Sequence, residues 1–170
     1  MVRVSRCADQ PHRDLKSPQT QLCKACAFGR LASAWESAAD IATWQQVLTE
    51  EGFAQADEIA AAVHAFAQMP ATQQIGAASR KRLQTFMPEL LTLVRESERP
   101  LIALTRVLML VEKILRRSAY IALLNENTHA LARLIELCEA STYVTEQLAR
   151  FPVLLDELLD PGTASSRVSR

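Results

Sequence analysis

The stretch LIALTRVLMLVEKILRRSAYIALL, residues 101–124, most constrains what this chain can fold into. Apolar side chains at Leu101, Leu104, Leu108, Val111, Leu115 and Ile121 keep close to the i, i+3, i+4 spacing of one helical face. Ile102, Val107, Leu110 and Ile114 widen that stripe until most of the circumference is apolar. A helix apolar on nearly all sides has to be packed on several of them, so it is expected at the centre of a bundle. Pro100 opens it, at a position where the missing N–H costs nothing. Arg116-Arg117 end the apolar run, and Asn125-Glu126-Asn127 break the helix, with Asn127 or Thr128 capping the next.

Three short helices are predicted after that break. THALARLIELCEA turns Leu131, Leu134, Ile135 and Cys138 inward, which makes Cys138 a small core residue rather than a nucleophile. Ser141 caps a second through Val144 and Leu148, and Phe151-Pro152 turns the chain into VLLDELLD. Asp160-Pro161-Gly162 stops the third. Asp156, Glu157 and Asp160 form the one close acidic cluster, and Asp156 and Asp160 would share a helical face. The leucines between them fit a solvated edge on a docking helix, so no metal is assigned there.

Upstream of Pro100 the pattern is helical too. Leu31, Trp35, Ala38, Ile41, Val47 and Leu48 predict one or two helices, with Asp40 or Thr43 as a cap and Gly52 as the stop. EIAAAVHAFAQM follows from about Asp57 and closes at Pro70, and its His64 reads as a packing or surface residue rather than a ligand. Another helix, with Ser79 as cap, carries Leu83, Phe86, Leu90, Leu91 and Val94; Pro88 inside it should kink or restart it. Arg80-Lys81-Arg82 could serve an anion near a helix start, but a solvated helical face explains them more simply. The fold expected is all-α, a bundle of about six to seven helices with a long central helix. Low glycine and a 49% hydrophobic content favour the same class.

Residues 1–30 have no sustained periodicity and hold Pro11 and Pro18, so they are expected to be a poorly ordered N-terminal tail. Residues 31–161 then form the helical domain, and residues 162–170 a disordered C-terminal tail. Cys23-Lys-Ala-Cys26, with Cys7 and His12, offers four soft ligands of the kind zinc takes. A structural zinc site normally has a second tight pair, which is missing, and a redox CxxC would follow a strand. Free thiols are the expectation.

Charge is uneven although the net is zero. Residues 1–30 hold six Lys/Arg and two Asp, a balance of +4, and residues 31–160 hold eleven against seventeen, a balance of −6. An acidic body is unsuited to a phosphate backbone, so no nucleic-acid partner is expected. No apolar run approaches the roughly 20 residues of a bilayer span, so no membrane partner is expected either. The N-terminus lacks a signal-peptide core, which makes a cytoplasmic location the expectation. No Gly-rich phosphate loop, HExxH or GxSxG occurs. No catalytic, cofactor-binding or metal-binding residue is assigned.

The run from Arg117 to Pro161 resembles a segment of the bacterial bifunctional glutamine synthetase adenylyltransferase/adenylyl-removing enzymes. The residues that carry the likeness are Ser118 to Leu124, Leu131 to Cys138, Ala140-Ser141, Gln147 to Arg150, Pro152 and Leu154 to Pro161. It continues more weakly upstream through Glu51-Gly52-Phe53, His64 to Phe66, and Leu83 to Leu91 with Met87-Pro88, so that it covers residues 40–161. In that family a similar run lies in the helical region between two nucleotidyltransferase domains. Catalytic domains of the family use a Gly-Ser motif followed by paired aspartates, with ATP and Mg2+; this chain has neither motif. Residues 1–30 and 162–170 do not follow the family pattern.

The resemblance implies a non-catalytic linker or regulatory domain that couples two active sites. One adds AMP from ATP to a tyrosine of glutamine synthetase and the other removes it, under control of glutamine and the PII signal protein. The implied partners are the flanking nucleotidyltransferase domains and, through the parent enzyme, glutamine synthetase and PII. The alternative is a stand-alone helical protein-interaction module without catalytic activity.

Overall fold

The computed structural model describes residues 18–159, and among them there are helices and no strands. Ten helices follow in order: α1 Pro18–Glu36, α2 Ile41–Glu50, α3 Ala56–Gln68, α4 Pro70–Gln73, α5 Ala77–Val94, α6 Pro100–Ile114, α7 Ser118–Glu126, α8 Thr128–Ala140, α9 Thr142–Arg150 and α10 Leu154–Leu159. The class is all-α, and the extra members of the count are the short α4, the separation of α1 from α2, and the division of the apolar run into α6 and α7. No helix among the described residues is long and apolar enough to cross a membrane.

The central position of α6 follows from its composition. It packs against α3, α5, α7, α8 and α9, and it buries Ala103, Leu104, Val107, Leu108, Leu110, Val111 and Ile114. Ile102 and Met109 are its exposed large apolar positions. Around it, α1 lies along α5, α2 along α3, and α7 along α5. Trp35 of α1 stacks on Phe66 of α3 with ring centroids 6.4 Å apart, and one continuous hydrophobic core runs from Leu31 to Leu155.

Four local expectations are revised. The helix breaks earlier than Asn125, at the arginine pair that ends the apolar run: Arg117 takes φ −110 and ψ 67, and its N–H donates to the Ile114 carbonyl at 2.8 Å. The break leaves Arg116 and Arg117 exposed while Leu115 and Ile121 stay buried, which a straight helix could not arrange once α7 turns to lie on α5. Pro88 does not restart its helix, since α5 runs unbroken from Ala77 to Val94 with Pro88 buried inside it. The missing donor falls on one carbonyl, and the apolar burial on either side outweighs that loss. Gly76, not Ser79, is the N-cap of α5, and no side chain caps it. The first helix reaches back to Pro18, and Ala27 within it is buried.

Other stop and cap signals act at the positions read from sequence. Asp40 accepts from the Thr43 N–H at 2.9 Å, Asn127 from Ala130 at 3.0 Å and Ser141 from Val144 at 3.3 Å. Gly52 ends α2 with φ 84, a backbone conformation that glycine adopts without steric cost.

Candidate functional site

Two polar junctions fix the helices relative to one another. Glu51 follows α2 with its side chain only 4% exposed, and its carboxylate lies between Arg30 of α1 and Arg95 at the end of α5. Arg95 approaches a carboxylate oxygen at 3.4 Å and donates to the Glu51 carbonyl at 3.4 Å. A buried carboxylate with no partner would be costly, so the two guanidinium groups offset its desolvation and pin three helices at one point.

The second junction joins the start of α6 to the end of α8. Helix ends leave backbone groups without intrahelical partners. Arg106 of α6 donates through Nη1 to the carbonyls of Cys138 at 2.7 Å and Glu139 at 2.9 Å, and Arg99 Nη2 donates to the Glu139 carbonyl at 3.1 Å. Positive charge at a helix C-terminus also complements the helix dipole. In return, the Glu139 carboxylate accepts the backbone N–H of Arg99 at 2.8 Å, beside the N-terminus of α6. A groove of about 500 Å³ adjoins this junction, lined among others by Leu93, Ser97, Glu98, Ile135 and Glu136. A third, smaller tie comes from Asn125, whose Nδ2 donates to the Arg82 carbonyl at 3.0 Å and fastens α7 to α5.

The residues singled out from sequence lie apart from these junctions, except Cys138 and Arg82, whose carbonyls are acceptors in them. Cys138 is fully buried on α8, where burial pushes its thiol above the ordinary range against the opposing pull of the Thr145 hydroxyl and the Arg106 charge. A thiol so placed is held protonated at neutral pH. Its carbonyl, however, is one acceptor of Arg106. Cys23 and Cys26 lie on α1, with Cys26 exposed, whereas Cys7 and His12 lie outside the described residues. His64 is half-buried on α3. Of the basic triplet, Arg80 is engaged with the Gln73 carbonyl at 3.1 Å and Lys81 is exposed. Asp156 is exposed on α10, and Asp160 lies outside the described residues.

Among the described residues no three His, Cys, Asp or Glu side chains are placed to hold a metal ion. What the arrangement does chemically is positional: it locks helix ends together through charge-assisted hydrogen bonds. Sequence reasoning assigned no site role to Glu51, Arg95, Arg99, Arg106 or Glu139. The available signal was charge beside helix ends, and in Arg106 a cation set within an apolar run.

No family model matches the chain. Curated relatives do. A bifunctional glutamine synthetase adenylyltransferase/adenylyl-removing enzyme of Pseudomonas aeruginosa is 44% identical over 128 residues, which are 75% of this chain and 13% of the relative. The protein of the same name from Hahella chejuensis is 40% identical over 156 residues, 92% of this chain and 15% of its own length. That from Thioalkalivibrio sulfidiphilus is 38% identical over 140 residues, 82% of this chain and 14% of the relative. The chain thus spans about one seventh of the curated relatives it matches. At such identity over most of its length, the chain is homologous to one segment of the bifunctional glutamine synthetase adenylyltransferase/adenylyl-removing enzymes.

Proposed function

We propose that this helical body is a non-catalytic linker and regulatory domain of the enzyme that adenylylates and deadenylylates glutamine synthetase. In this reading it sits between two nucleotidyltransferase domains of a cytoplasmic enzyme of nitrogen regulation and couples their active sites, which respond to glutamine and PII. ATP and Mg2+ belong to those domains and not to this segment. The observation that carries the reading is the extent of the similarity, which takes in 75–92% of this chain and only 13–15% of each relative. A body whose helix ends are tied by Glu51 and by Arg99, Arg106 and Glu139 suits a rigid connector, because a displacement at one end is passed on rather than absorbed.

The test uses the full-length enzyme carrying this segment, with Leu108 and Leu115 replaced by Ala. Both activities are measured, each with and without glutamine and PII. The expected result is that each activity survives while their opposed response to the effectors is lost. An unchanged opposed response, with thermal unfolding of the enzyme showing the segment loosened, would overturn the proposal.

A second reading, a stand-alone helical protein-interaction module, is favoured by the exposure of Tyr143 at 68% and Val153 at 60%. Native size separates the two. An antibody against the helical region should detect a band several times larger than 18.9 kDa in the first case and one near 18.9 kDa in the second.

A further inference from the structure

We draw no further inference here: the strongest candidate, the groove between the α5–α6 turn and α8 lined by Leu93, Glu98, Arg99, Ile135, Glu136 and Glu139, is an acidic cluster whose Glu139 carboxylate is already paired with Arg99, and nothing in the structure shows what covers it.

Discussion

Arg99 and Glu139 complete each other's helix ends: the Arg99 N–H donates to the Glu139 carboxylate at 2.8 Å, and the Arg99 guanidinium donates to the Glu139 carbonyl at 3.1 Å. Arg106 strengthens the same junction from about two turns further along α6, with two carbonyl acceptors and a half-buried side chain. Replacing Glu139 by Ala should therefore cost about 1 kcal/mol, as loss of a cap does. Arg106→Ala should cost about 2 kcal/mol, because charge-assisted bonds to partly buried carbonyls are lost and those carbonyls stay. Urea unfolding at constant slope would read this ranking as midpoint shifts, and the reverse order would count against the junction.

The central helix makes a sharper prediction because neighbouring residues face opposite ways. Leu108 is 5% exposed and Met109 is 43% exposed. Leu108→Ala removes packed methyl groups from the core and should destabilise by about 2–5 kcal/mol. Met109→Ala should stay within about 0.5 kcal/mol, as surface changes usually do. Equal losses in thermal unfolding would mean that α6 is rotated from the orientation described.

How far the sequence went is clear from these two cases. Periodicity places Leu104, Leu108 and Val111 inward because burial of apolar area is a sum over one face, and a single chain displays that sum directly. The break at Arg117 was half legible: Arg116-Arg117 mark the end of the apolar run, but Leu115, Ile121 and Leu124 keep an apolar rhythm on both sides, and packing against α5 decides that the chain turns there. Pro88 was expected to kink or restart α5, and the restart does not occur for a related reason. Its local cost is one lost donor, while Met87, Leu90 and Leu91 around it are all buried. The junction around Glu139 was invisible since it pairs residues 40 positions apart, and charge alone does not say which ends meet. The similarity to known enzymes lay in the identity of residues along the helices and not in any feature of spacing.

Two helices end in the same motif with different residues. After α2, Gly52 has φ 84, its N–H donates to Thr49 and the Phe53 N–H donates to Leu48. After α1, Ala38 has φ 49, its N–H donates to Trp35 and the Ala39 N–H donates to Ala34. Both are Schellman ends, and the left-handed position favours glycine. Ala38→Gly should stabilise by about 1 kcal/mol, and Gly52→Ala should destabilise by a similar amount. Paired melting curves would show opposite shifts in Tm; a loss in both would contradict the left-handed backbone at Ala38.

Asp40 gives a pH dependence whose direction is fixed. The Thr43 side chain and backbone N–H both hydrogen-bond its carboxylate and hold it below the ordinary value of 3.8. A carboxyl depressed by folding contributes stability that is complete above 3.8 and is lost as the pH falls through the lower folded value. Asp40→Asn keeps a capping oxygen without the titration. Acid unfolding of that variant should lose part of its slope below pH 3.8, and an unchanged slope would show that the Asp40 carboxylate does not carry it.

Cys138 titrates in the opposite sense and can be separated chemically from Cys26. Burial raises the Cys138 thiol above 9.0, so the folded protein keeps its proton longer than the unfolded chain does. The stability this provides is present below 9.0 and is lost as the pH rises through the folded value. Cys138→Ala should flatten the alkaline limb of the stability curve. Against a thiol reagent near neutral pH, Cys26→Ser should remove a fast-reacting group, because Cys26 is exposed on α1. Cys138→Ser should leave the fast phase unchanged and remove a phase that appears only on unfolding. A fast native reaction at Cys138 would mean that α8 opens away from α6 and α9 far more often than its interlocked end allows.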